Sequence, residues 1–279
     1  MRMIALILIV LLTGCDADGT GSNDDAPELT PLPIVKTPAY KLVGSGRIVV
    51  VLSTDIAETL VTTGPYDYLT RLNAAGFSVL TLDLPCEGVN ADHSSEALLD
   101  DPLLCWAVHI ADGDRSIFLS FCAGLLDVLD ELNQPVAGII GISRGAYVSS
   151  TCAAYDDRIK NLALIIPLTN LNYLSEFADY PVNEAEFGLQ QFYPELREKH
   201  ILVRIGEDDT RVGTANAVAF AESVGATLEL LETVGHSAPE DGTTIIWLEQ
   251  QLAAEAVDAS GTVPSALSRS PAQHALHDI

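Results

Sequence analysis

Six short apolar runs punctuate the chain, at Ile48–Leu52, Ser78–Leu82, Val136–Ile140, Leu162–Ile166, Ile201–Ile205 and Leu228–Leu231. Most are rich in Val and Ile and unbroken rather than alternating, the pattern of strands buried on both faces. Between them lie segments of helical period at Tyr66–Ala75, Ser116–Leu132, Ala146–Tyr155 and Thr214–Val224, with Thr243–Leu252 closing the series. In Ser116–Leu132 the residues Ile117, Phe121, Leu125, Val128 and Leu132 fall on one side. Alternation of strand and helix predicts an α/β fold, a mostly parallel sheet with helices on both faces. No repeat of solenoid period is present. The interval from Pro167 to His200 breaks the rhythm and carries Tyr173, Phe177, Tyr180, Phe187, Phe192 and Tyr193. It predicts a small cap inserted over the strand ends.

The ends read differently. Ile4–Leu12 is apolar but covers about half of the roughly 20 residues that a membrane-spanning helix needs. It ends in Leu12-Thr13-Gly14-Cys15, which resembles the lipobox of bacterial lipoprotein signal peptides. The resemblance implies removal of residues 1–14 and a lipid on Cys15, hence a membrane anchor in the bacterial envelope, exposed to periplasm or exterior. An ordinary secretory signal is the alternative, and export follows from either. Residues 15–38 lack apolar periodicity and predict an acidic tether; residues 258–279 predict a disordered tail; the folded domain is expected over 39–257, with 167–200 as its cap. Asp16-Ala17-Asp18-Gly19 does not fit a calcium loop, since its glycine falls two places early and no glutamate closes it.

Composition sharpens this picture. With 48% hydrophobic and 19% charged residues the chain is a packed globular protein. Its net charge of −25 argues against nucleic acid and anionic headgroups as partners. Membrane contact is therefore expected through the lipid alone. Beyond Cys15 there are Cys86, Cys105, Cys122 and Cys152, which in an oxidising compartment allow three pairings or none. Cys86 and Cys105 fall in predicted loops and form the first pair to expect, whereas Cys122 and Cys152 fall in predicted helices and read as buried thiols. No Cys/His spacing suggests zinc, and neither a metal nor a cofactor is expected.

The third apolar run leads into Gly141-Ile142-Ser143-Arg144-Gly145 and then a helix. A serine raised on a sharp strand-to-helix turn needs flanking glycines so that the turn can close. Serine at its ordinary pKa is a poor nucleophile, so a histidine and an orienting acid should follow. Ile201–Ile205 runs into Gly206-Glu207-Asp208-Asp209-Thr210-Arg211-Val212, and Leu228–Leu231 runs into Thr233-Val234-Gly235-His236-Ser237. These segments, with Asp83-Leu84-Pro85-Cys86-Glu87-Gly88, make the stretch from about Gly46 to Leu252 resemble the α/β-hydrolase superfamily, nearest its compact prolyl-oligopeptidase-like and esterase-like members. The resemblance implies Ser143 as nucleophile and His236 as base and then acid. The family's G-x-x-D-x-x-V spacing selects Asp209 as the orienting carboxylate, leaving Asp208 a solvated neighbour.

An oxyanion hole needs two N–H donors. The family supplies one from the residue after the nucleophile, here Arg144, and the other from the loop after the first core strand, here Ser53-Thr54-Asp55, which makes Thr54 the expected donor. That loop departs from the family's His-Gly pattern, and Asp55 would oppose an oxyanion unless it faces water. Ala146 also stands where a second glycine is common. The Arg144 side chain suits an ion pair, or alternatively a substrate carboxylate. His93, His109, His200, His274 and His277 have no serine and carboxylate placed for a triad and read as surface or capping residues. The expectation is a serine hydrolase that cleaves small-molecule esters of short or medium acyl groups, the aromatic cap implying a modest pocket. The alternatives are a peptidase acting on amides, or a non-catalytic module that keeps the fold and binds.

Overall fold

The computed structural model describes residues 38–61, 67–232, 234–239 and 242–260, together with 29, 31–33 and 35. Cys15, the expected signal peptide, most of the expected tether and everything after 260 lie outside the described residues. The chain opens with β1 (Tyr40–Val43) and β2 (Ile48–Leu52), then α1 (Ile56–Val61), α2 (Tyr68–Ala74) and β3 (Ser78–Leu82). Three helices follow, α3 (Glu96–Asp100), α4 (Pro102–Ala111) and α5 (Ser116–Leu132), before β4 (Val136–Ile142), α6 (Arg144–Ala154) and β5 (Asn161–Ile165). An insertion of 3-10 turns with two short helices, α7 (Glu184–Phe187) and α8 (Tyr193–Leu196), leads to β6 (His200–Gly206), α9 (Thr214–Val224), β7 (Thr227–Leu231) and α10 (Thr243–Ser260).

The seven strands lie in the order β1-β3-β2-β4-β5-β6-β7, with β1 antiparallel and every other pairing parallel. The apolar runs are strands because both faces are covered. Val50, Leu82, Leu164 and Val203 pack under α4, α5, α6 and α9, whereas Val49, Val79, Ile140 and Leu202 pack under α2 and α10. From β2 the chain steps outward to β3, then crosses back to put β4 on the other side of β2. That reversal opens a crevice at the carboxyl ends of β2 and β4, where ligands bind in sheets of this kind.

Several elements depart from the expectations. β1 is an additional edge strand; α1 has no buried residue, so it carries no apolar stripe to read. Cys105 stands inside α4, which begins at Pro102 behind an Asp101 cap, and not in a loop. α4 buries Leu103, Cys105, Trp106, Ala107 and Ile110, a spread too wide to show a helical period. α10 runs to Ser260, eight residues past the expected Leu252 and into the segment read as a tail. At the other end, Leu29 and Leu32 pack on the core, and Pro38 lies against Gly124 of α5, so the last part of the predicted tether is docked.

Both pairs of cysteines are joined. Cys86–Cys105 links the loop after β3 to α4, as expected. Cys122–Cys152 links α5 to α6 across 4.9 Å between Cα atoms, a correction to the reading of two buried thiols. Two helices that pack side by side over one sheet bring buried positions within bridging distance, which the sequence of each helix alone does not reveal. The sulfurs of Cys86 and Cys105 and a ring nitrogen of His109 gather within 4.8 Å, but the disulfide consumes both thiols. Among the described residues no helix is long and apolar enough to cross a membrane.

Candidate active site

Ser143 sits between β4 and α6 at φ 52°, ψ −116°, a backbone conformation that L-residues avoid. Gly141 and Gly145 permit it. A Cβ on Gly141 would stand 2.6 Å from the Ala146 Cα, and one on Gly145 would collide with the Leu52 carbonyl of β2. Ser143 N–H donates to the Ile165 carbonyl at 2.9 Å, and its own carbonyl accepts from Leu168 N–H at 3.0 Å and Ala146 N–H at 3.1 Å. The turn is thereby tied to β5 and to the first residues of the insertion.

Ser143 Oγ lies 3.1 Å from His236 Nε2, and His236 Nδ1 lies 2.9 Å from Asp209 Oδ2. Asp209 is 3% exposed, and its Oδ1 accepts from Arg211 N–H at 2.8 Å and Val212 N–H at 3.1 Å. One carboxylate oxygen is thus held by the backbone while the other faces the imidazole. Asp208 is exposed to solvent, as expected, and it also holds a backbone group. Its Oδ1 accepts the Gly235 N–H at 2.7 Å and so tethers the loop that bears His236. Gly206 allows the same approach from below, because a Cβ there would collide with the Gly235 carbonyl.

On the other side of Ser143, Gly145 packs against Leu52 and Ser53, so the Ser53–Thr54 segment borders the first turn of α6. Thr54 Oγ1 is buried and has no hydrogen-bond partner, while the Thr54 carbonyl accepts from Leu84 N–H at 3.4 Å. Asp55 does not intrude on the serine. Its Oδ1 accepts from Glu58 N–H at 2.6 Å and caps α1. The buried Asp83 fixes this loop from beneath, accepting Ile56 N–H at 2.7 Å and Val89 N–H at 2.9 Å.

Arg144 makes the ion pair that its position suggested. Its Nε and Nη2 donate to the two Glu87 oxygens at 2.5 and 2.8 Å, a bidentate clamp. Burial pushes the Glu87 carboxyl up; the Arg144 hydrogen bond and charge pull it down, and Asp55 and Glu58 add to the rise. Glu87 follows Cys86 directly, so the Cys86–Cys105 disulfide anchors the carboxylate that holds Arg144. A second clamp joins Arg211 to Glu176 in the insertion, and the Arg211 hydrogen bond holds the Glu176 carboxyl at about 2.

Sequence reasoning missed Arg204, which stands fully buried in β6. It donates from Nε to Glu229 at 2.6 Å and from Nη1 to the Pro239 carbonyl and Thr244 Oγ1, each at 3.3 Å. A single cation inside an apolar run was the only available signal. His109 is half-buried and pairs with Asp114 at 3.0 Å, and His93 and His200 are exposed. His274 and His277 lie outside the described residues.

No protein-family model matches the sequence, and no curated protein sequence matches it. Solved structures do. Acetyl xylan esterase 1 from a Thermoanaerobacterium species is 19% identical, with a TM-score of 0.52 over 75% of this chain and 77% of that one. The acylaminoacyl peptidase of Pyrococcus horikoshii is 13% identical, with a TM-score of 0.52 over 76% of this chain and 37% of its own. A cold-adapted esterase from an Arctic intertidal metagenomic library is 18% identical, with a TM-score of 0.50 over 75% and 83%. The architecture is the α/β-hydrolase fold.

Proposed function

We propose that the chain is a serine hydrolase that cleaves carboxylic esters of short or medium acyl groups through an acyl-enzyme on Ser143. The observation that carries this reading is the continuous relay from Ser143 Oγ through His236 to the buried Asp209. His236 Nε2 takes the proton as Oγ attacks the carbonyl carbon, and the resulting oxyanion is met by the N–H groups of Arg144 and Thr54. Collapse breaks the ester C–O bond, and His236 returns the proton to the departing alcohol. Water then repeats the two steps on the acyl-enzyme and releases the acid.

Acyl length follows from a cavity of about 200 Å³ beside the serine, lined by Val51, Ser53, Leu60, Leu69, Val79 and Ile142. Glu58, Thr59 and Tyr68 complete a lining that is apolar toward β2 and β3; the cavity begins at the residue before Ser143, and its size suits a modest acyl chain better than a triglyceride tail. The same reading puts the protein in a bacterial envelope, lipid-anchored through Cys15; the two disulfides are support, since such bonds persist in oxidising compartments.

The test is labelling with a fluorophosphonate probe. Wild-type protein labels, and folded Ser143→Ala and His236→Gln proteins do not; a wild type that stays unlabelled removes the hydrolase reading. A second expectation concerns the clamp on Arg144. Glu87→Gln lowers kcat about tenfold with KM little changed, because the amide at Arg144 loses its fixed position while the acyl cavity is untouched. Steady-state kinetics on p-nitrophenyl butyrate read it, and a rise confined to KM would contradict it.

A further inference from the structure

We propose that the cavity between the insertion and α9 binds an uncharged polyhydroxylated group, and that this group is the alcohol part of the ester cleaved at Ser143; the second clause rests on the function proposed above. The cavity measures about 380 Å³, distinct from the smaller one beside β2 and β3. Its near end belongs to the segments that carry the catalytic groups. Thr169 and Asn170 directly follow Leu168, whose N–H holds the Ser143 carbonyl, and Asn216 lies in the first turn of the helix that begins after the Asp209 loop. From Asn216 to Ser223 its wall follows one face of α9, a length of about 10 Å at the helical rise.

The lining is polar, and it is pre-set. Asn216 spends its Nδ2 on the Val212 carbonyl at 3.0 Å, which fixes the amide plane and leaves Oδ1 as an acceptor. Asn170 spends Oδ1 on the Asn172 N–H at 3.0 Å and leaves Nδ2 as a donor. Gln190 spends Nε2 on the Glu184 carbonyl at 2.9 Å, leaving Oε1. Thr169 Oγ1 is buried and has no partner at all. Side chains anchored by one half and open at the other give directional hydrogen bonds at little cost in ordering. A ligand with adjacent hydroxyls, each both donor and acceptor, satisfies such a set; an acyl chain would leave it unpaired.

Charge and shape exclude the other classes. Among the described residues no Lys or Arg lines the cavity, and Glu184 does, within a chain of net charge −25, so an anionic ligand is repelled. Among the described residues no strand edge borders it, which disfavours a peptide added by backbone pairing. The half-buried Tyr193 in the lining supplies apolar ring surface for the carbon face of a sugar.

The experiment titrates the folded, full-chain Ser143→Ala protein with xylotriose, cellotriose and maltotriose, followed by calorimetry and by ligand-observed NMR. At least one trisaccharide binds, and Asn216→Leu or Thr169→Val in the same background weakens it about tenfold or more. In the protein with Ser143 intact, the same substitutions lower kcat/KM for 6-O-acetylglucose, whose other hydroxyls are free, relative to 1-naphthyl acetate by about the same factor. Failure of all three sugars to bind overturns the proposal, as does trialanine amide binding in their place or an unchanged ratio of the two esters. Should a sugar bind while wild-type protein resists the fluorophosphonate, the polyol site stands and the hydrolase reading falls.

Discussion

Asp209→Asn lowers kcat by about 10,000-fold, while Asp208→Asn costs about tenfold. The contrast between adjacent carboxylates comes from what each oxygen touches. Asp209 Oδ1 accepts two backbone N–H groups, from Arg211 and Val212, and Oδ2 faces His236 Nδ1. An asparagine must keep its oxygen toward the two N–H donors, since its NH2 group cannot accept from them. The NH2 is then turned onto His236 Nδ1, which must become an acceptor and send the ring proton to Nε2. That nitrogen can no longer take the proton of Ser143, although the fold and the spacing are kept. Asp208→Asn retains an oxygen for Gly235 N–H and loses only the charge on that bond. Turnover of p-nitrophenyl butyrate reads both variants, with thermal melting to confirm that each is folded. Equal losses would strip Asp209 of its role, and a tenfold loss at Asp209 alone would leave His236 without an essential acid.

The site was legible in proportion to how locally its chemistry is written. Ser143 and its glycines form one five-residue segment, and the Asp209 and His236 loops each follow a strand that is apolar enough to see. The strands were visible because both faces of β2 to β6 are buried and the runs are therefore continuous. β1 pairs on one side only, and its four residues are all at least partly exposed, so its pattern is mute. What stayed hidden is what depends on two distant segments meeting. Cys122 and Cys152 find each other only when α5 lies along α6. The polar cavity needs the insertion folded back on α9, and no single stretch of sequence announces it. The hydrogen bond of the exposed Asp208 was hidden for the same reason, because its partner Gly235 lies 27 residues away.

Arg204→Met is expected to destabilise the fold by about 3–5 kcal/mol, read as a lower urea midpoint, and to lower activity in the molecules that remain folded. The guanidinium is fully buried, whereas its partner Glu229 keeps about a third of its side chain in water. Glu229 can therefore rehydrate only in part when the cation is removed and stays a poorly paired charge, and the Pro239 carbonyl and Thr244 Oγ1 lose a donor inside the protein. Pro239 stands three residues after His236, so the same loss frees the far end of the loop whose near end Asp208 holds at Gly235. Stability and catalysis can be separated with a second substitution. Arg204→Met combined with Glu229→Met replaces the ion pair by apolar volume and recovers part of the urea midpoint. It does not restore the donor to Pro239, so kcat stays low in the double variant. Arg204→Lys keeps the charge without the fork and falls between the two, since one ammonium cannot reach Glu229, Pro239 and Thr244 in the same plane. If the double variant regained both stability and kcat, Arg204 would be part of the scaffold alone, and the placement of His236 would rest on Asp208 and Asp209.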